Sequence, residues 1–264
     1  MKRLIAFAVL MATVLYSPSA AAQISALEFQ PPKVPVGKVF HLVKSQLDGA
    51  HEARISYYVA AADRVEALKW DQGGDEATLV VAQLDWSRFS VRAFRVSHLA
   101  RGANPEPRAS LDVDADGVLT MSLNPSPVKL THFPWQSFDF DFTGLTLVMP
   151  HLRDPESGFR FWRTDFVYAD PPSVAELGEV TLTFTGKEKH LGKRTRRYSI
   201  GGPGLAGMEG TWWADAKTGL LVEFEIPVGD EPGYDSVRIR LEAVGPMSDA
   251  AWEDFKRRSI DATP

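Results

Sequence analysis

The chain has 264 residues, 44% of them hydrophobic and 24% charged, with 20 Gly, 18 Pro, no Cys and a formal net charge of −5. This is the composition of an ordinary globular protein, and it excludes a disordered, collagenous or disulfide-stapled chain. The lack of Cys also removes thiol nucleophiles, zinc ribbons, iron–sulfur clusters, attached c-type haem and a lipid-modified N-terminal cysteine.

Met1-Lys2-Arg3 is basic, Leu4 to Tyr16 is an uncharged apolar run, and Ser17-Pro18-Ser19-Ala20-Ala21-Ala22 ends in small residues. That order predicts a secretory signal peptide over residues 1–22, cleaved before Gln23, leaving residues 23–264 as a single β-rich domain in the periplasm or outside the cell. The apolar run is too short to span a hydrocarbon core of ~30 Å, so an integral membrane protein is not expected. Removing two positive charges takes the net charge to −7. An acidic chain is poorly suited to nucleic acid, whose binding draws on a basic face.

Beyond the leader, β-branched and aromatic residues alternate with polar ones between Gly, Asn and Asp breaks, which predicts many short strands. In chain order they fall near Val39–Leu47, Ala53–Ala60, Arg64–Trp70, Glu76–Trp86, Arg88–His98, Ala109–Val113 and Val118–Leu123. Gln72-Gly73-Gly74 and Asp114-Ala115-Asp116-Gly117 supply hairpin turns, so an antiparallel meander is expected. Phe138 to Leu152 begins as a strand and ends with Phe142, Leu145, Met149 and Leu152 on one helical face, with Pro150 predicting a short, kinked helix. The meander resumes at Val180–Phe184, Thr195–Ile200, Thr211–Ala214, Leu220–Ile226 and Val237–Ala243. In the strand after Gly219, Leu220, Val222, Phe224 and Ile226 are assigned to a dry face and Leu221, Glu223 and Glu225 to a wet one. Ser248 caps a C-terminal helix with acids early and bases late, and Trp252, Phe255 and Ile260 are its inward candidates.

Several strings set this pattern in a wider context. Asp139-Phe140-Asp141-Phe142-Thr143-Gly144-Leu145, Pro150-His151-Leu152-Arg153-Asp154-Pro155, Gly210-Thr211-Trp212-Trp213 with Lys217-Thr218-Gly219, and Trp252-Glu253-Asp254-Phe255 resemble a family of uncharacterised secreted bacterial proteins. That family is similar in shape to the half-barrel carriers of lipoproteins and lipids in the periplasm. The resemblance implies a mostly β fold, a single twisted antiparallel sheet curled into a half-barrel around a short mid-chain helix and a C-terminal helix. It carries over no catalytic residue.

Four motifs tempt a chemical reading. Asp112, Asp114, Asp116 and Gly117 match the first half of a calcium loop, but Leu123 stands where a bidentate Glu is needed and the flanks read as strands, so a plain hairpin is expected. Ser126-Pro127-Val128-Lys129 and Lys217-Thr218-Gly219 imitate penicillin-binding signatures in the wrong setting. Gly202-Pro203-Gly204-Leu205-Ala206-Gly207 spells a dinucleotide fingerprint, yet a strand follows it, which leaves a flexible loop with the mobility of a lid. No metal and no cofactor is called for.

Two sets of candidate contacts remain. His132, Trp135, Asp139, Asp141 and His151 surround the mid-chain connector, either as ligand contacts or as the acid–base groups of a hydrolase acting on envelope material. Lys187, Lys189, Lys193, Arg194, Arg196 and Arg197 straddle a hairpin tip, either as edge-protecting charge or as a patch for an anionic membrane surface or an envelope protein. The leading expectation is a protein that binds a lipid, an acyl chain or another apolar small molecule against the hollow of its sheet, with a cavity opening beside Trp135 or the Gly201–Gly210 loop. An envelope-assembly interaction protein is the main alternative.

Overall fold

The computed structural model describes residues 25–261 apart from 72–73, 123–126, 138–142, 168–172 and 228–233. Residues 1–22 of the expected leader, and Asp139 and Asp141, therefore lie outside the described residues. The described residues form one sheet of 15 strands: β1 Lys38–Ser45, β2 Ala53–Ala61, β3 Arg64–Asp71, β4 Glu76–Asp85, β5 Ser90–Ala100, β6 Glu106–Val113, β7 Val118–Met121, β8 Val128–Lys129, β9 Trp135–Ser137, β10 Phe159–Val167, β11 Ser173–His190, β12 Lys193–Gly201, β13 Glu209–Asp215, β14 Leu221–Ile226 and β15 Val237–Pro246. The order across the sheet is β8 back to β1, then β15 back to β9. Two meanders are thus joined by the β1–β15 pairing, and hairpins make nearly every connection. Helix α1 spans Thr143–Val148 and helix α2 spans Asp249–Asp261.

The mostly β fold with a mid-chain and a C-terminal helix is as the sequence predicts. One pairing departs from the expected antiparallel pattern. β9 runs parallel to β10, with Trp135 opposite Trp162 and Ser137 opposite Thr164. Parallel neighbours need a long crossover, and residues 138–158, which include α1, provide it. Pro150 ends the α-helix as expected: α1 gives way to a 3-10 turn over Met149–His151.

A sheet this wide curls rather than lying flat. Register shifts interrupt seven of its pairings, among them His41/Leu42, Gln83/Leu84, Phe184/Gly186 and Trp213/Ala214, and each bulge adds local twist. Among the described residues the two edges are not paired with each other. They are brought together by the chain itself, since residues 130–134 lead from β8 to β9, and the Trp135 backbone N–H donates to Ser90 Oγ on β5 at 3.0 Å.

The curl encloses a large inner core drawn from nearly every strand, including Phe40, Tyr57, Val65, Phe94, Leu111, Phe161, Tyr198, Trp212 and Phe224, with Leu145, Leu147, Val148 and Met149 of the mid-chain segment packed into it. All six residues of α1 are buried. The C-terminal helix does not join them. Trp252 and Ile260 pack with Val39, Tyr58, Leu68, Ala77 and Leu99, on the other face of β1–β5. Alternation along each strand dictates this: Val39 and Phe40 are neighbours in sequence and face opposite ways. The expectation that both helices cover the hollow is corrected accordingly. α2 roofs the outer face, held by Tyr58 donating to Asp249 at 2.8 Å and by Glu66 accepting from Trp252 Nε1 at 2.7 Å and from Lys256 at 3.2 Å.

Two further expectations change. The bulge at Trp213/Ala214 puts Leu221, with Phe224 and Ile226, into the inner core, and Glu223 is buried on the other side, where it meets His190 Nε2 at 2.8 Å. Both faces of β14 are buried except at Glu225, which is partly exposed and pairs with Arg238. The glycine-rich loop is pinned: Leu205 is fully buried in the core within a 3-10 turn over Pro203–Leu205, Arg163 donates to the Gly204 carbonyl at 3.1 Å, and a methyl group on Gly204 would lie 2.5 Å from the Gly178 carbonyl oxygen. It is part of the wall, not a lid.

Candidate functional site

The inner face changes character along the strands, and the change locates the site. Across β1 to β5 one row reads Phe40, Tyr57, Ala67, Val80, Val96, all apolar. The next row towards the end of β1 reads Leu42, Ile55, Lys69, Thr78, His98, and beyond it Lys44 faces Ala53, which faces Asp71. On β3, β4 and β5 apolar side chains give way to polar ones within two residues, and on β1 within four, as expected where a core ends at a mouth rather than at a sealed cap.

A pocket of about 360 Å³ occupies that mouth, lined in part by Lys44, Ile55, Lys69, Thr78, His98 and Tyr234. The size is within the range of sites for small organic ligands. Lys44 is only 7% exposed and its ammonium lies 4.6 Å from the centre of the Tyr234 ring, which fixes a cation beside an aromatic surface. His98 Nε2 stands 3.7 Å from Glu76 Oε1 at the rim. Arg54, also at the rim, is turned to Glu52 and Glu242, at 2.6 Å each. The mouth therefore brings a buried cation, a second lysine, a hydroxyl, an imidazole, the carboxylates of Asp71 and Glu76, and aromatic and aliphatic surface to one open pocket.

Among the described residues, the cavity expected beside Trp135 is reduced to a small space. The space that Trp135 lines with Ser90, Val113 and Phe133 is about 10 Å³, hardly room for one water. Trp135 itself is 1% exposed, and among the described residues its indole Nε1 has no partner.

The mid-chain candidates do not converge among the described residues. His132 stacks on Trp162, with ring centroids 4.5 Å apart, and lies 4.0 Å from Glu176. His151 is wholly buried in a cage of Phe29, Trp86 and Phe89, where its Nδ1 accepts the Gln30 backbone N–H at 3.1 Å. Burial, helped by the charge of Lys33, pushes its pKa down to about 4, so it is neutral at physiological pH. It works as a fastener. The Glu28 N–H donates to the His151 carbonyl, the Arg153 N–H to Ala26 and the Lys33 ammonium to Pro150, so residues 26–33 are laced to the mid-chain turn.

On the basic hairpin, Lys187 pairs with Glu156, and Lys189, Lys193, Arg194 and Arg197 are exposed. His190 and Glu188 are turned to Trp213, by ring stacking at 4.2 Å and by accepting from the indole N–H at 2.5 Å respectively. The Asp-rich hairpin is a turn: Asp114 Oδ1 accepts the backbone N–H groups of Asp116 and Val118, and Asp112 pairs with Arg95. Among the described residues no three His, Asp or Glu side chains gather as metal ligands, and no helix is long and apolar enough to cross a membrane. A scan against family models finds no match for this chain, and no curated protein matches it.

The polar residues of the pocket leave no local signature, because each is one polar residue in an otherwise ordinary strand. Lys69, Thr78 and His98 become a row only when three hairpin registers align them.

Proposed function

We propose that this is an exported ligand-binding protein of the cell envelope, which holds a small amphipathic molecule in the mouth of its curled sheet. The observation that carries the reading is the 360 Å³ pocket at the point where the apolar inner face turns polar. Ile55 and the Tyr234 ring supply a surface for an apolar body, while Lys44 and Lys69 suit an acidic headgroup. The rest of the hollow is filled by the protein's own side chains, which favours a short chain or ring over a full-length lipid tail. The leader-like N-terminus and the resemblance to periplasmic half-barrel carriers support the compartment and the carrier role.

Native mass spectrometry of protein purified from a bacterial envelope, followed by titration with a medium-chain carboxylate such as decanoate, tests this. Binding that weakens at least tenfold in Lys69→Ala and in Tyr234→Ala is expected. Protein that carries no small molecule and ignores decanoate overturns the reading.

A second reading rests on the hairpin. Lys189, Lys193, Arg194 and Arg197 are exposed cations in an acidic chain, suited to an anionic membrane surface or an acidic envelope protein. Charge reversal of Lys193 and Arg194 should abolish sedimentation with anionic vesicles or pull-down of a partner, and unchanged capture of both rejects the patch. The hydrolase alternative has no supporting constellation among the described residues.

A further inference from the structure

At the opposite end of the strands from the mouth, a smaller pocket of about 70 Å³ lies under the N-terminal segment. Its walls come from four places far apart in sequence: Lys33 before β1, Met149 and Pro150 after α1, Arg196 and Tyr198 on β12, and Lys217, Thr218 and Gly219 in the turn between β13 and β14. Three of these side chains are cations. The acids nearby are largely engaged. Asp215 accepts from the backbone N–H groups of Lys217 and Thr218 and from the Thr218 hydroxyl, Glu156 pairs with Lys187, and Asp154 Oδ1 accepts the Glu156 backbone N–H.

Two details mark the pocket as more than a basic surface. Arg196 Nε is buried, and among the described residues it has no hydrogen-bond partner. Holding a guanidinium there with one N–H unpaired costs free energy, and an anion in the pocket would offset that cost by pairing with its charge. The cradle is also closely built. Gly219, at φ +77°, lets the turn approach Pro150, where a methyl group would sit 2.9 Å from Pro150 Cα. The Lys33 ammonium is already drawn in by the Pro150 carbonyl at 2.8 Å.

We propose that Arg196, Lys33 and Lys217 form a binding site for a phosphate group, either free phosphate or the phosphomonoester headgroup of a small molecule or lipid. The volume of about 70 Å³ has room for one tetrahedral oxyanion, and the pocket is open enough for the rest of an esterified headgroup to lie outside it. Arg supplies a planar fork matched to two phosphate oxygens, and the two lysines supply mobile point charges for the others. Because Lys33 belongs to the segment laced over His151, an anion held here ties the N-terminal segment to β12 and to the β13–β14 turn. This site is independent of the mouth pocket, and neither depends on the other's ligand.

Calorimetric titration of the mature protein with inorganic phosphate at constant ionic strength, with chloride as the control, tests the site. Expected is 1:1 binding of phosphate but not of chloride, weakened at least tenfold in Arg196→Gln and several-fold in Lys217→Ala, with the melting temperature raised by phosphate more in the wild type than in either variant. Glycerol phosphate and vesicles containing phosphatidic acid separate the sources. Binding of the free ion points to soluble phosphate, and capture by vesicles alone points to a headgroup. Failure of all three probes, or binding unchanged in both variants, overturns the proposal. Should Arg196→Gln not fold, Lys217→Ala, which alters an exposed turn residue, still decides it.

Discussion

The fastener at His151 gives the protein a stability that depends on acidity. In the folded chain the imidazole is sealed among Phe29, Trp86 and Phe89, with its Nδ1 occupied by the Gln30 N–H, and its pKa is held near 4. In the unfolded chain it returns to about 6.5. Between these values the unfolded state takes up the proton first, so stability is complete above pH 6.5, falls as the pH drops towards 4 and loses nothing further below that. Each tenfold weakening of proton binding is worth about 1.4 kcal/mol, so this one group removes roughly 2 kcal/mol between pH 7 and pH 5. Urea unfolding followed by tryptophan fluorescence at both pH values measures it. His41, whose pKa burial also lowers against the opposing pull of Glu242, contributes with the same sign. The informative quantity is therefore the difference between the wild type and His151→Asn, whose side-chain oxygen takes the place of Nδ1 without titrating. The variant loses ring packing at every pH, a cost of about 2 kcal/mol, but its decline from pH 7 to pH 5 should be shallower than the wild type's by the amount attributed to His151. Equal declines in the two proteins would show that His151 does not hold the segment in its neutral form.

Other consequences follow from the packing. Glu66 is the shared acceptor for Trp252, Lys256 and Arg64, so Glu66→Ala leaves the buried Trp252 indole N–H without its acceptor and Lys256 with Glu253 alone, and should cost about 2 kcal/mol, seen as loosening of α2 and protease sensitivity at its start. Restored stability in Glu66→Gln would assign the effect to the indole bond rather than to the ion pair. Leu205→Ala should destabilise by about 3 kcal/mol in thermal or urea unfolding, because a fully buried leucine leaves a cavity; a cost below about 0.5 kcal/mol would restore the mobile-lid reading. Gly210→Ala places a methyl group 2.3 Å from the Glu225 carbonyl oxygen, so it should disrupt the β13–β14 pairing and lower the melting temperature more than Gly245→Ala, which meets nothing within 4 Å.

What was legible beforehand was local. β2 and β3 start where the alternation places them, Pro150 stops α1, and Ser248 caps α2, with its Oγ accepting the Ala251 N–H at 3.3 Å. The misses have physical causes. β9 is three residues long and gains its pairing only from β10, so no pattern in Trp135–Ser137 announces a strand. β10 has both tryptophan and arginine among its phenylalanines and lacks a clean period, because buried Arg163 finds its partner in the Gly204 carbonyl across the fold. The glycine run at 201–207 suggested mobility, since permissive backbone reads the same whether it moves or packs. Close approach to β11 is what uses it here.

The amino-acid sequence by itself settled the class of the protein: a cysteine-free β chain with one amphipathic helix at its end, because alternation, turn chemistry and capping act over a few neighbouring residues. Which face each helix covers, where the hollow stays open, and the meeting of Lys33, Arg196 and Lys217 were decided by tertiary structure alone. Those depend on bulges that reset the register and on the pairing of β1 with β15 from the two halves of the chain, and a side chain's neighbours across such pairings carry no trace in its own segment.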